Sequence, residues 1–202
     1  MELKVIDSVT ESGNEEFLRQ AARLHHESLS YRSFITLFGV PFLYRIYETV
    51  LLKRQGILVA AHESGVLKGF TLGCLDTNRL TGMMLKRLAV FLPLVASALI
   101  KHPGLLGKLW ETLFYADKEG VDVKPEMVVI AVVEAERSKG LGAELMRRLE
   151  AAFKEQGVSR YKVTVHRDME ESNRFYQRNG MVLRKEFKMY GYVWNVYAKE
   201  II

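Results

Sequence analysis

Cysteine is nearly missing from this chain: Cys74 stands alone among 202 residues. No intrachain disulfide can form, so the fold must rest on a packed core, and a reducing compartment is the natural expectation. Proline is scarce as well, with four residues and no Pro-, Gly- or Ser-rich tract, so no linker or disordered tail divides the chain. Long hydrophobic runs are absent too. The longest, Leu88 to Ile100, is interrupted by Pro93 and falls short of the roughly 20 residues of a spanning helix. Met1 to Asp7 lack the basic segment and apolar core of a secretory signal. The expectation is a cytoplasmic protein with no integral membrane segment, in which the Leu88 to Ile100 run is the stretch that could lie against a membrane surface or a partner subunit. The five histidines are dispersed, and none pairs with Cys74, another His or a carboxylate at ligand spacing, so no metal is expected. Net charge is +5 and its basic residues read as scattered, which suits an anionic ligand and does not call for nucleic acid.

What is present is the balance of a globular protein, 49% apolar and 26% charged. The length suits one domain over residues 1–202. Leu3 to Val9 reads as a first strand, closed by Glu11-Ser12-Gly13-Asn14. Helical spacing follows from Asn14 or Glu15 to about Ser28 and from about Ser33 to Lys53, with Pro41 breaking or kinking the second stretch after Gly39. Tyr31, Phe34, Phe38, Phe42, Tyr44 and Tyr47 crowd this region as core, surface or pocket aromatics. Gly56–Glu63 and Val66–Asp76 flank Ser64-Gly65 as a tight hairpin.

Leu80 to Ile100 reads as one helix and Pro103 to Tyr115 as another, an insertion at about 80–115. Both are too apolar to stand alone in water, so they should pack on the body, cover a ligand site or form a homodimer contact, Leu92 and Leu94 included. The turn from Asp117 to Lys124 leads into Met127–Val133, an apolar β-branched run that reads as a strand buried on both faces. Leu141, Leu145, Leu149 and Phe153 then mark an amphipathic helix ended by Gly157. Ser159 to His166 alternates as a strand, a short helix runs from about Glu170 to Gly180, and Met181–Phe187 with Tyr192–Ala198 form a last hairpin through Tyr190-Gly191. The fold class is α/β: a mixed, mostly antiparallel sheet with helices on both faces.

The junction Arg137-Ser138-Lys139-Gly140-Leu141-Gly142 carries the chemistry. Its glycines lower helix propensity by about 1 kcal/mol each, so their value lies in leaving first-turn N–H groups open. Those groups and the helix dipole favour a phosphate, and Arg137 and Lys139 add full charges. A nucleotide P-loop would need Gly-Lys-Ser/Thr where Gly142-Ala143-Glu144 stands, and a dinucleotide fingerprint would need a small residue at Leu145. Arg-x-x-Gly-x-Gly after an apolar strand resembles the acyl-CoA pyrophosphate turn of the GNAT superfamily of N-acetyltransferases. One helix and one strand later, Asn173-Arg174-Phe175-Tyr176 followed by Gly180 is similar to that superfamily's Asn-x-x-Tyr-x-x-x-Gly helix. Together the two motifs cover about the C-terminal half of the chain.

The resemblance implies an acyl-CoA N-acyltransferase-like fold and acetyl-CoA as acyl donor. It implies that Ser138, Lys139, Gly140, Leu141, Gly142 and Ala143, with Arg137, hold the pyrophosphate. Ile130, Ala131 and Val132 would offer strand backbone to the pantetheine arm, and Asn173 would touch the cofactor. Tyr176 would protonate the departing thiolate. Many members carry a further Asn where this chain has Met169, so that contact is missing or supplied by Asn173 or Asp168. His166, Glu134, His25 and His26 are candidates for the base that deprotonates the acceptor. The acceptor implied is a primary amine of a small molecule, such as an amino sugar or amine metabolite. A protein N-terminus or lysine, or a non-catalytic acyl-CoA-binding domain, are the alternatives.

Overall fold

The computed structural model describes residues 1–9, 11, 13–29, 33–113 and 120–201. Strands β1 (Glu2–Ile6), β2 (Gly56–Glu63), β3 (Val66–Cys74), β4 (Glu126–Val132), β5 (Arg160–His166), β6 (Val182–Met189) and β7 (Tyr192–Glu200) form one sheet, in the order β1-β2-β3-β4-β5-β7-β6. Every neighbouring pair is antiparallel except β4 with β5. Two-residue turns fix the hairpins at Ser64-Gly65 (φ 50° and 79°) and Tyr190-Gly191 (57° and 81°). Left-handed φ at both central residues is what a type I′ turn requires, and its twist matches that of the strands it joins.

The alternation of side chains gives the sheet two apolar faces. On one, Leu58, Ala60, Phe70, Leu72, Val129 and Ala131 pack under α1 (Asn14–Leu29), α2 (Val40–Leu52) and the inner side of α4 (Leu88–Lys101). On the other, Ile57, Val59, Ala61, Val163 and Val165 pack under α6 (Leu141–Glu155) and α7 (Glu170–Arg178). The mixed, mostly antiparallel sheet clad by helices on both faces is the expected fold class.

Local departures have identifiable causes. The stretch from Ser33 to Lys53 divides into a 3-10 turn, Phe34–Phe38, and α2, with Gly39 at φ 83° between them. Pro41 therefore lies in the first turn of α2, where its missing N–H costs nothing, and it starts the helix instead of kinking it. The single helix expected from Leu80 to Ile100 is two, α3 (Leu80–Leu85) and α4, meeting at a bend of 94°. Arg87 at the bend reaches back to α2, pairing with Glu48 (2.8 Å) and donating to Thr49 Oγ1 (2.6 Å), which turns the chain onto the body. Helix α5 covers Leu105–Leu113. Tyr31, Tyr115 and the first part of the turn at 117–124 lie outside the described residues.

Helix α6 approaches the sheet closely because β3 carries glycine beneath it. A Cβ at Gly73 would fall 2.5 Å from Phe153 Cζ and 2.8 Å from Leu149 Cδ1, both parts of the α6 face that packs on the sheet. Gly73→Ala should therefore lift α6 and cost about 1–3 kcal/mol, the range for an overpacked core. Urea unfolding measures this. An unchanged midpoint would show that the helix has slack over β3.

Candidate active site

The two central strands pair and then separate. Their parallel contact is confined to Glu126 opposite Lys162, where the Lys162 N–H donates to the Pro125 carbonyl (2.9 Å). On the other side β4 is paired with β3 throughout, apart from a register shift near Leu72 and Gly73. The Val133 N–H donates to Lys68 O (2.9 Å), so by the alternation of an antiparallel ladder Ala131 also faces β3, while Ile130 and Val132 turn their amides toward the gap beside β5. This corrects the expectation for Ala131: its backbone is engaged opposite Phe70 and cannot serve a ligand. The strand is likewise not buried on both faces along its length, since Val128 is 39% exposed and Ile130 and Val132 are half-buried where β5 has moved away.

The chain leaves β4 through a short turn, Glu134–Glu136, and reaches α6 across the predicted phosphate loop. Ser138 (φ 61°) and Gly140 (φ 86°) are both left-handed, which curls successive N–H groups around one point in front of the helix. Around Gly140 a Cβ would meet no atom within 4 Å, so its glycine is required by the backbone angle. Gly142 differs: a Cβ there would sit 3.2 Å from Phe175 Cε2, so this glycine lets α6 and α7 meet. Leu141 is buried and offers only its backbone to the loop, and Ala143 is half-buried. Arg137 donates from Nε to the Val132 carbonyl (3.1 Å), joining the loop to the end of β4, and Lys139 lies 3.3 Å from Glu136.

Helix α7 completes the same face. Tyr176 is buried, its ring near Phe175 (5.3 Å between centroids) and Tyr197 (6.2 Å). Burial pushes its phenol well above the ordinary range, so the proton stays on. Its hydroxyl makes no hydrogen bond to the described residues. Asn173 has a different part from the one expected. Its Nδ2 donates to the carbonyls of His166 (3.0 Å), Arg167 (3.1 Å) and Met169 (2.8 Å), while its Oδ1 accepts from Asn195 Nδ2 (2.7 Å) and Tyr197 hydroxyl (3.0 Å). With both ends of the amide engaged, Asn173 braces the start of α7 against β5 and β7, and has no hydrogen-bonding group to spare for a cofactor. Met169, at the helix start, provides no side-chain cap.

The four candidate bases separate clearly. His25 is buried in the core beneath the sheet, its Nδ1 against the Tyr47 hydroxyl, and burial holds its pKa down at about 4, with a smaller contribution from His26. His26 is half-buried on α1. Glu134 is exposed just past β4. His166 ends β5, buried beside Tyr192 (4.5 Å) and Trp194 (5.3 Å), with its Nδ1 3.8 Å from Asp168 Oδ2. The aromatic wall continues through Tyr190, which packs on Trp194 (6.3 Å) and on Phe34 (4.4 Å) from the loop before α2. Glu111 of α5 accepts from the Tyr190 N–H (2.9 Å). Sequence reading places Tyr190, Tyr192 and Trp194 in the last hairpin but gives no sign that it meets His166 of β5 and Phe34, which the fold brings to the same end of the sheet.

The state of His25 is testable by titration. Its folded pKa of about 4 lies below the ordinary 6.5, so an unfolded chain takes up this proton first as pH falls. The contribution is therefore complete above about pH 6.5 and is lost as pH drops toward 4, by about 3 kcal/mol in all. Ring chemical shifts should show His25 titrating near pH 4, with stability declining over that window relative to His25→Asn. Titration near 6.5 would mean the ring is reached by water.

Residues 109–181 match the profile of the Acetyltransferase (GNAT) family. No curated protein sequence matches the chain. Among solved structures the fold is similar to an aminoglycoside 6′-N-acetyltransferase complexed with coenzyme A (11% identity, 100% and 98% of the two chains, TM-score 0.60). It is also similar to the PaiA N-acetyltransferase from Thermoplasma acidophilum in complex with coenzyme A (13%, 99% of each chain, TM-score 0.57). An N-acetyltransferase from Staphylococcus aureus Mu50 matches over 100% of both chains (12%, TM-score 0.59). At these identities the likeness is one of fold, and the family profile falls on the segment that holds the parted strand, the glycine loop and α7. Over residues 109–181 the chain is thus similar to the Acetyltransferase (GNAT) family, and it shares its fold with these solved acetyltransferases.

Proposed function

We propose that this protein is an N-acetyltransferase that uses acetyl-CoA to acetylate the primary amine of a small molecule. The observation that carries the reading is the parting of β4 from β5, which leaves the amides of Ile130 and Val132 turned into a gap. A pantetheine arm laid there would satisfy them as an added strand does. Its pyrophosphate end would meet the open N–H groups of the loop from Ser138 to Ala143 and the positive end of α6. When bound, acetyl-CoA supplies an activated thioester.

The chain's own residues then have two tasks. The acceptor must lose a proton before it attacks, and Glu134 and His166, at the ends of the two parted strands, are the candidates the fold leaves beside the gap; His25, neutral and locked to Tyr47 in the core, is not. As the carbon–sulfur bond breaks, the thiolate needs a partner, and Tyr176 holds a proton for it. An ordinary thiol pKa of about 8.5 already lies below that of phenol, about 10, and burial raises the phenol further. Complete transfer is therefore uphill, and Tyr176 acts chiefly as a hydrogen-bond donor that stabilises the departing sulfur.

We place the acceptor at the end of the sheet beside His166, and the contacts there favour a small one. Phe34 meets Tyr190 across that end, and Glu111 ties the same hairpin to α5. A protein N-terminus or lysine would need an open groove at this place.

Screening amines for thiol release from acetyl-CoA tests activity and acceptor class together. Small amines should be turned over and lysine-containing peptides should not; the reverse would move the assignment to protein acetylation, and no release with acetyl-CoA bound would make this a binding domain. With a competent amine, Tyr176→Phe keeps the ring and removes the donor. Turnover should fall about a hundredfold with acetyl-CoA affinity nearly unchanged. Full turnover would assign the proton to solvent or another side chain.

A further inference from the structure

The apolar insertion is only half used by the body. Phe91, Leu94, Val95, Ala98 and Leu99 of α4 pack inward, with Phe91 edge-on to Phe42 at 5.5 Å. The flank of the same helix beside that inward face presents Leu88 (51% exposed), Leu92 (55%), Ala96 and Ile100 (84%), spaced four residues apart in one stripe. On the neighbouring helices, Leu85 of α3 and Leu106 and Trp110 of α5, the last two both 66% exposed, are further exposed apolar side chains. Monomeric proteins rarely leave such a patch open unless something covers it. This also corrects the expectation that Leu92 and Leu94 act alike: Leu94 belongs to the core contact and Leu92 to the open stripe.

Charge decides what the cover is. Residues 77–110 contain Arg79, Lys86, Arg87, Lys101 and Lys108 and no Asp or Glu, while the rest of the chain balances at 24 basic and 24 acidic residues. Over the insertion itself, 80–115, Lys86, Arg87, Lys101 and Lys108 stand against Glu111 alone, so +3 of the chain's +5 lies there. Arg87 is held by Glu48 and Arg79 by Asp76, but Lys86 and Lys101 stand exposed at the two ends of the α4 stripe. A second copy laid on this face would bring like charges together. A negatively charged lipid surface would accept the leucines into its acyl boundary and the lysines among its headgroups. No single helix among the described residues is long and apolar enough to cross a membrane, and α4, at 14 residues, extends only about 21 Å.

We infer that α3, α4 and α5 form a docking face for an anionic membrane surface, on which α4 lies in the plane of the interface. The inference is independent of the acetyl-transfer reading. Because α5 also accepts the Tyr190 N–H, the docked insertion would bear on the hairpin at the proposed acceptor side.

Co-sedimentation of the full chain with phosphatidylcholine vesicles, with and without about 30% phosphatidylglycerol, tests it. The wild type should bind the anionic vesicles at low salt, release at high salt and ignore neutral vesicles. Leu92→Glu/Ile100→Glu, both at exposed positions, should lower the bound fraction at least about tenfold, and Lys86→Glu/Lys101→Glu should do so by a similar factor. Quenching of Trp110 by brominated lipid, lost in Trp110→Phe, locates the contact on the wild-type fold should a double variant be unstable. Failure to bind anionic vesicles, equal binding to neutral ones, or unaltered binding by the glutamate pair would overturn the proposal. So would a wild-type dimer, seen by light scattering, that the glutamate pair dissociates without any vesicle binding.

Discussion

Two parallel strands that pair at one residue and then diverge leave backbone N–H and C=O groups with nowhere to go, and the rest of this structure is arranged around that debt. Glu126 and Lys162 hold the strands together at one end, and by Val132 and His166 they lead into different loops. An unpaired buried amide costs as much as a lost hydrogen bond, so such a gap persists only where water or a ligand can enter. The protein already answers part of it: Arg137 reaches back from the glycine loop to the Val132 carbonyl. Ile130 is left facing the gap, and this is the group the proposed acyl-CoA site would engage with an extended, hydrogen-bonding chain.

The surroundings keep the gap open. Glycine at position 73 lets α6 settle on β3 away from the divide, and glycine at 142 lets α7 settle on α6. Asn173 spends its whole amide fixing α7 to the ends of β5 and β7, so Tyr176 is carried on a helix whose position is braced by five hydrogen bonds. In the role proposed for Tyr176, a donor that must meet one sulfur atom benefits from such rigidity more than from any change in its acidity. On the opposite face the aromatic wall of Phe34, Tyr190, Tyr192 and Trp194 depends on the last hairpin crossing beside β5, which only the sheet order provides.

Much of this was legible in the residues. The hairpin turns, the amphipathic α6, the glycine loop and the short α7 all announce themselves through local chemistry: turn glycines, fourfold spacing of leucine, and a glycine after the last helical turn. What could not be read is what depends on tertiary partners. Ala131 resembles its neighbours in sequence, yet ladder alternation gives its backbone to β3. Asn173 looked like a ligand contact because its free amide is visible in a motif and its five partners, spread over β5, β7 and the turn between β5 and α7, are not. The break of the insertion at Arg87 follows from Glu48 and Thr49, nearly forty residues earlier in the chain. The acid-free run from 77 to 110 is visible in the sequence; what the fold adds is the exposure of its leucines together with Lys86 and Lys101.

The central claim is that the parted strand is the acyl-CoA receptor, and amide hydrogen exchange resolved at single residues addresses it most directly. In the free protein the Ala131 amide, paired with β3, should already be protected, whereas those of Ile130 and Val132 should exchange quickly. Addition of acetyl-CoA should slow exchange at Ile130 and Val132 and in the loop from Ser138 to Ala143, leaving Ala131 as it was. Binding of acetyl-CoA with no change at Ile130 and Val132 would contradict the account, because the cofactor would then be held elsewhere on the fold.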